Sequence, residues 1–197
     1  MIQALKDLDT QLLLLINGLH NSVLDVCMSY ASAKFFWIPL YLVFLFLLFK
    51  NYKSKTFFIL IFIVLTIALS DQIVLHFFKN VFLRYRPCHN LLIAGRVHLV
   101  DDCGGQYGFI SSHAANAFAL ATFLFSFLKQ HYKYAWLLFA WAALVCYSRI
   151  YLGQHYPADV ALGALVGIAC GKLILKVYFY FAQRFFSGNK ISSSLHE

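Results

Sequence analysis

The sequence is dominated by five long apolar blocks, at residues 35–49, 57–78, 114–128, 135–147 and 158–182. Each block can extend at its ends toward the ~20 residues that an α-helix needs to cross a bilayer. Only 12% of the residues are charged and 61% are hydrophobic, whereas a soluble domain carries about a quarter charged residues. The pattern therefore predicts an all-α, polytopic membrane protein with five transmembrane spans and argues against a soluble domain.

A sixth helix is predicted at residues 8–33, before the first apolar block. It is apolar enough to insert but carries four polar side chains: Asp9, Asn17, His20 and Asp25. Such a helix can span the bilayer or lie along its interface. The predicted fold is a bundle of six helices in one domain, residues 1–197, whose polar end at 187–197 is predicted to be a flexible tail.

Basic residues indicate how the helices are oriented. Seven of the 16 lysines and arginines fall in connectors at one end of the predicted bundle or after its last helix: Lys50, Lys53, Lys55, Lys129, Lys133, Arg184 and Lys190. By the positive-inside rule these segments face the cytoplasm. The opposite connectors, 84–111 and 148–157, then face the outer side of the cell (inner) membrane. They contain nearly all the residues that could carry chemistry, so the functional site is predicted on that side. The net charge of +8 reflects topology and anionic headgroups, and no nucleic-acid partner is expected.

Two of the five cysteines, Cys88 and Cys103, lie in the outer connector, where an oxidising compartment allows them to pair. We predict this disulfide, with two free thiols as the alternative; closing a loop of about 15 residues contributes roughly 3 kcal/mol. His89, His98 and the neighbouring aspartates raise the question of zinc. The spacing matches no compact ligand pattern such as Cys-x2-Cys, so neither a metal nor another cofactor is expected.

Six charged or titratable residues stand at helix ends on the predicted outer side: Lys79, Arg86, His113, Arg149, His155 and Asp159. Charges at membrane depth are costly, so each should have a partner or a function. Singly, they can be read as snorkelling cations, a helix-cap neighbour and an ion pair. Together with a helix-opening serine, they are the groups needed to bind a phosphate, attack it and protonate its leaving group.

The spacing around the two histidines supports that interpretation. Asp159 follows His155 by four residues, so its carboxylate can hold one ring nitrogen and leave the other free as a nucleophile. Ser111 and Ser112 open the helix that carries His113, where a serine cap and free backbone N–H groups suit a phosphate. His113 is then placed to act as a general acid.

The candidate residues form three ordered groups: Lys79-(six residues)-Arg86-Pro87, Ser111-Ser112-His113, and Ser148-Arg149-(five residues)-His155-(three residues)-Asp159. This order resembles the three-part signature of type 2 phosphatidic acid phosphatases. The first and third parts match fully. The second usually reads Pro-Ser-Gly-His, and this chain has Ile110 for the proline and Ser112 for the glycine. Both changes fall in the phosphate loop, where they predict altered selectivity with activity retained.

The resemblance implies hydrolysis of a lipid phosphate or diphosphate without a metal ion. His155 would attack phosphorus to give a phosphohistidine, and His113 would protonate the leaving group before water releases phosphate. The implied phosphate-binding residues are Lys79, Arg86, Ser111, Ser112 and Arg149. Arg84, outside the matched positions, is assigned to a headgroup contact.

Similar bacterial proteins act on undecaprenyl diphosphate, phosphatidylglycerol phosphate, phosphatidic acid or lipid A phosphate, and undecaprenyl diphosphate is favoured by analogy. Phosphotransfer to an acceptor lipid is a related alternative. A transporter or a non-catalytic lipid binder is the alternative of another class, and it would not require the two histidines.

Two further features are interpreted mainly as structural. Asp71 is expected to bond to a polar group on a neighbouring helix, and Asn116 either does the same or lines the site. A small-residue stripe in the last helix predicts close packing within the monomer rather than a dimer face. It consists of Gly163, Gly167 and Gly171.

Overall fold

The computed structural model describes residues 2–187, which form seven helices and, within that range, no β-strand. The helices are α1 Ile2–Asn17, α2 Ser22–Ser32, α3 Lys34–Tyr52, α4 Lys55–Phe82, α5 Ser112–Leu128, α6 Leu137–Tyr151 and α7 Pro157–Ser187. The all-α prediction is confirmed. Apart from Ser187, which ends α7, the predicted tail 187–197 lies outside the described residues.

The apolar blocks account for five of these helices. Among the described residues, α3, α4 and α7 are long and apolar enough to cross a membrane, while α5 and α6 are shorter apolar helices of 17 and 15 residues. Many large apolar side chains of α3 and α4, such as Phe46 and Val64, are exposed on the outside of the bundle, where bilayer lipid replaces a protein core. The chain is an integral membrane protein.

The N-terminal segment corrects the predicted helix count. In place of one helix at 8–33, the structure has α1 and α2, whose axes differ by 115°. The break between α1 and α2 follows from the polar residues of this segment. Asn17 turns its amide to the carbonyls of Tyr151 and His98, at 2.6 and 2.8 Å, while Asn21 caps α2 by accepting the N–H groups of its first turn. The bundle therefore has seven helices rather than six.

Helix α5 lies at the centre of the bundle and contacts α4, α6 and α7. The glycine stripe of α7 packs directly on the backbone of α5. A Cβ built on Gly163 would lie 2.6 Å from the carbonyl oxygen of Ser111, and one on Gly171 would lie 2.8 Å from that of Ala119. On Gly167 it would overlap the carbonyl oxygen of Ala115. The predicted packing within the monomer is confirmed.

Replacing Gly167 by alanine is expected to lower stability by roughly 1–3 kcal/mol, because the α5 backbone cannot yield to the added methyl group. Thermal unfolding of the detergent-solubilised protein measures this effect. Gly95→Ala is the matched control, since no atom lies within 4 Å of a Cβ there. Equal unfolding temperatures for the two variants would contradict the close packing.

Candidate active site

The candidate site lies where the end of α4, the start of α5, the end of α6 and the start of α7 meet at one end of the bundle. All the predicted site residues come from these ends or from the connectors beside them: Lys79, Arg86, Ser111, Ser112, His113, Arg149, His155 and Asp159. Half of them are buried, namely Ser111, Arg149, His155 and Asp159. The segments that the sequence separates by up to 80 residues are thus neighbours in space.

His155 lies in the turn between α6 and α7 and is 1% exposed. The turn folds back on α6, because the N–H groups of Gln154 and His155 donate to the carbonyl of Arg149 at 3.1 and 3.3 Å. His155 Nδ1 lies 3.8 Å from Asp159 Oδ2, within ion-pair range but too far for a hydrogen bond. Within residues 2–187, Nδ1 has no hydrogen-bond partner.

Burial and neighbouring positive charges both lower the pKa of His155. Burial holds the pKa of His155 well below its ordinary value, and the positive charges of Arg86, Arg149 and Lys79 lower it further. The connector passes close to the ring, since a Cβ on Gly108 would lie 3.5 Å from His155 Nδ1 and 2.9 Å from Arg86 Cγ. His155 is therefore a neutral imidazole near pH 7, with one ring nitrogen keeping its lone pair.

The carboxylate of Asp159 is fully buried and has its strongest partner outside the predicted set. Arg84 donates to Asp159 Oδ1 at 2.8 Å and to Asp9 Oδ2 at 2.7 Å, with its guanidinium 3.9 Å from the centre of the Tyr156 ring. Asp9 Oδ1 also accepts the N–H of Ala158 at 2.8 Å. Arg84 thus bridges two carboxylates, an ion-pair role that the sequence did not predict; its predicted headgroup contact stays a prediction.

Two of the cations are held by serine hydroxyls. Lys79 Nζ donates to Ser112 Oγ at 2.9 Å, which links the end of α4 to the first turn of α5. Arg149 Nη1 donates to Ser32 Oγ at the end of α2, and its Nε has no partner within the described chain. Each cation therefore keeps donors that can bind an anion.

Ser111 fixes the start of α5 against α7. It is fully buried, accepts the N–H of Ala114 at 3.4 Å as a cap, and donates its own N–H to the carbonyl of Asp159 at 3.0 Å. Ile110, at the position where the family signature has proline, is also fully buried and packs in a cluster with Val74. The departure at Ile110 is accommodated as apolar packing.

A cavity of about 660 Å³ adjoins the site, between α3 and the helices α4, α5 and α6. His113 and Ser112 line it at the start of α5. Its wall also carries two charged residues outside the predicted site set, Lys34 and Asp71. Asp71 Oδ1 accepts a hydrogen bond from Asn116 Nδ2 at 2.8 Å, which confirms the expected bond to a neighbouring helix.

The predicted Cys88–Cys103 disulfide is confirmed, with the two Cα atoms 6.1 Å apart. It lies beside Arg86, whose Nη1 donates to the Cys103 carbonyl at 3.0 Å and whose N–H donates to the carbonyl of Gln106 at 3.1 Å. The ring of His89 reaches the carbonyl of Gly104 at 3.2 Å. The disulfide therefore fixes the backbone that positions the Arg86 guanidinium.

A buried neutral histidine among three cations, at the end of a helical membrane bundle, is an arrangement suited to a membrane phosphatase. A family model described as the PAP2 superfamily matches residues 59–183, and the chain belongs to that superfamily. This confirms the resemblance found in the three motifs. The protein is a lipid phosphatase, which makes it a phosphoric ester hydrolase.

Individual relatives extend the comparison. The chain is 39% identical over 170 residues to the lipid A 4'-phosphatase of Bacteroides thetaiotaomicron, covering 85% of this chain and 75% of that protein. It is 27% identical to the undecaprenyl-diphosphatase BcrC of Bacillus subtilis, covering 82% and 79%. The crystal structure of Aquifex aeolicus LpxE superposes with a TM-score of 0.61 at 32% identity, covering 86% and 95%.

Breaking the disulfide is expected to reduce both stability and catalysis. Replacing Cys88 and Cys103 by serine should cost roughly 3 kcal/mol through the freed loop. It should also lower kcat by up to roughly 100-fold, because the carbonyl that holds Arg86 is no longer fixed. Unfolding temperature and phosphate release measure the two effects. Cys27→Ser, at an exposed free cysteine of α2, is the control, and unchanged kcat in the double variant would contradict the role.

Proposed function

We propose that this protein removes phosphate from a phosphorylated glycolipid of the lipid A kind, through a phosphohistidine on His155. The single observation that carries the chemistry is the burial of His155, 1% exposed, 3.8 Å from Asp159 Oδ2 and subject to the positive charges of Arg86, Arg149 and Lys79, which lower its pKa. Such a nucleophile keeps its lone pair at neutral pH, and the surrounding cations suit a phosphate dianion. The substrate class rests on the 39% identical lipid A 4'-phosphatase.

In the proposed reaction, the free ring nitrogen of His155 attacks phosphorus while the bond from phosphorus to the lipid oxygen breaks. His113 donates a proton to that oxygen, so the lipid leaves as an alcohol. Water then attacks the phosphohistidine, giving up a proton to His113, and phosphate is released. Asp159, 3.8 Å from Nδ1, stabilises the positive charge that the imidazole carries in the intermediate. No step requires a metal ion, as the family resemblance implies.

The phosphoryl oxygens are assigned to five residues: Lys79, Arg86, Ser111, Ser112 and Arg149. Ser112 is suited to binding a phosphoryl oxygen. Its hydroxyl oxygen accepts a hydrogen bond from Lys79 Nζ, which leaves the hydroxyl hydrogen free to donate. The same holds for Ser111, whose oxygen accepts a backbone N–H. A hydroxyl at position 112, where the family signature has glycine, therefore adds one donor to the phosphate loop.

We place the site on the outer, periplasmic side of the cell (inner) membrane. The support is charge distribution, because five of the 11 lysines lie in or directly beside the two connectors at the opposite end of the bundle. The basic connector between α3 and α4 contains Lys53, and the one between α5 and α6 contains Lys133. A cysteine that replaces an exposed connector residue and reacts with an impermeant thiol reagent tests this orientation.

The substrate proposal is tested by phosphate release from purified protein over a panel of lipid phosphates, with and without EDTA. Release from a lipid A 4'-phosphate that exceeds release from the other lipids, and that persists in EDTA, is expected. A higher kcat/KM for undecaprenyl diphosphate would overturn the substrate class. Loss of all release in EDTA would overturn the metal-independent mechanism.

Undecaprenyl diphosphate is the second candidate substrate, supported by the 27% identical BcrC relative. The same assay separates it from the glycolipid, because both lipids belong to the panel. A phosphotransfer reaction differs in its product: phosphate passed from His155 to an acceptor lipid appears on lipid rather than as free phosphate.

A further inference from the structure

The cavity beside the site has an ordered lining along one face of α5. Ser112 and His113 stand at its phosphate end, Asn116 lies one helical turn further on, and Leu120 and Leu124 follow. These positions span about 16 Å along the helix axis, from His113 to Leu124. A lipid whose phosphate lies at His113 would therefore place its linkage region beside Asn116 and its chains against the leucines.

The second turn is polar because of one pair of residues. Asp71 on α4 lines the cavity and accepts the Asn116 amide at 2.8 Å through Oδ1. No other hydrogen bond to that carboxylate forms within residues 2–187, so Oδ2 remains available to the cavity. A carboxylate at this depth is costly unless it meets hydrogen-bond donors. Beyond the pair, the α5 wall of the cavity turns apolar.

We propose that Asp71, held by Asn116, is a specificity determinant that reads the part of the lipid next to the hydrolysed phosphate. It accepts hydrogen bonds from hydroxyl or amide groups, such as those of an acylated sugar. It disfavours a lipid diphosphate, because the second phosphate brings further negative charge to the side of the site that leads to the carboxylate. Lys34, on the α3 side, is the one lysine or arginine among the described residues that line the cavity. This inference rests on the proposed lipid phosphatase reaction.

The test measures kcat/KM of Asp71→Asn on three substrates: a phosphorylated acyl-sugar lipid, a polyprenyl diphosphate and a short water-soluble phosphate monoester. A hydrogen bond to a charged group is lost, so the value for the sugar lipid should fall roughly 10- to 100-fold. The value for the diphosphate should stay the same or rise. The soluble ester, which does not reach the second turn, should be unaffected and reports that the variant is folded.

Gln72→Ala is the matched control, because Gln72 neighbours Asp71 on α4 but does not line the cavity. An equal fall on all three substrates would overturn the inference, since Asp71 would then act through the charge of Lys79. No change on any substrate would also overturn it. If Asp71→Asn does not fold, kcat/KM of Asn116→Ala on the same three substrates replaces it, and the same pattern is expected. That change removes the donor that orients the carboxylate.

Failure of the Asp71 inference can be distinguished from failure of the proposed function. Wild-type protein that prefers the diphosphate would overturn the sugar-lipid substrate class. In that case Asp71→Asn would still be expected to leave kcat/KM on the diphosphate unchanged or to raise it. Only a wild-type protein that is inactive on every lipid phosphate would remove the proposed function itself.

Discussion

Replacing His155 by alanine is expected to abolish phosphate release, with kcat lowered by at least ~10³-fold, because the proposed phosphohistidine cannot form. The fold should survive, since Nδ1 of this side chain has no hydrogen-bond partner within the described residues and the ring can be removed without stranding one. Phosphate release from a lipid phosphate and the unfolding temperature are measured side by side.

Two further readouts make this result specific. Wild-type protein incubated with labelled substrate and denatured in alkali should carry labelled phosphate that acid releases, and His155→Ala should carry none. Binding of the lipid phosphate should persist, because the cations remain. His131→Ala, at an exposed histidine in the connector after α5, is the control. Normal turnover in His155→Ala would show that a group other than His155 is the nucleophile.

Replacing Arg84 by methionine is expected to destabilise the protein by about 3–5 kcal/mol, because it leaves a buried carboxylate without its partner. Asp159 is 0% exposed and pairs with Arg84 at 2.8 Å, while Asp9 pairs with the same guanidinium at 2.7 Å. Unfolding temperature measures the loss. Arg96→Met is the control, since Arg96 is exposed in the same connector.

A double-mutant cycle tests whether Asp9 and Arg84 act as one unit. Adding Asp9→Asn to Arg84→Met should cost less than the sum of the single changes, because the aspartate has already lost its ion pair. Additive losses would show that Asp9 and Arg84 stabilise the protein independently. The kcat of Arg84→Met gives a second measure of the ion pair. Without Arg84, the Asp159 carboxylate is free to move toward His155.

Sequence patterns predicted the parts of the fold that local hydrophobicity controls. The apolar blocks became helices because a chain in lipid must satisfy its own backbone groups. The break between α1 and α2 was not predictable in this way. It depends on Asn17, whose partners Tyr151 and His98 are 134 and 81 residues away in sequence.

In the candidate site, too, local spacing was predictable from the sequence and contacts between distant residues were not. Motif spacing placed His155 and Asp159 one helical turn apart, and the structure has them 3.8 Å from each other. The ion pairs of Arg84 were not predicted, because its partners Asp9 and Asp159 are 75 residues away on either side in the sequence. A charged residue inside an apolar helix was the available signal for Asp9, and only the tertiary fold identifies what it pairs with.

The contact between α1 and α7 has a consequence for how the protein is made. Asp9 is synthesised before Arg84 and well before Ala158, yet it accepts hydrogen bonds from the Arg84 guanidinium and the Ala158 N–H. Helix α1 can therefore complete these contacts only after α7 has been synthesised. The site is completed only at that final step, so incomplete chains released early would carry no phosphatase activity.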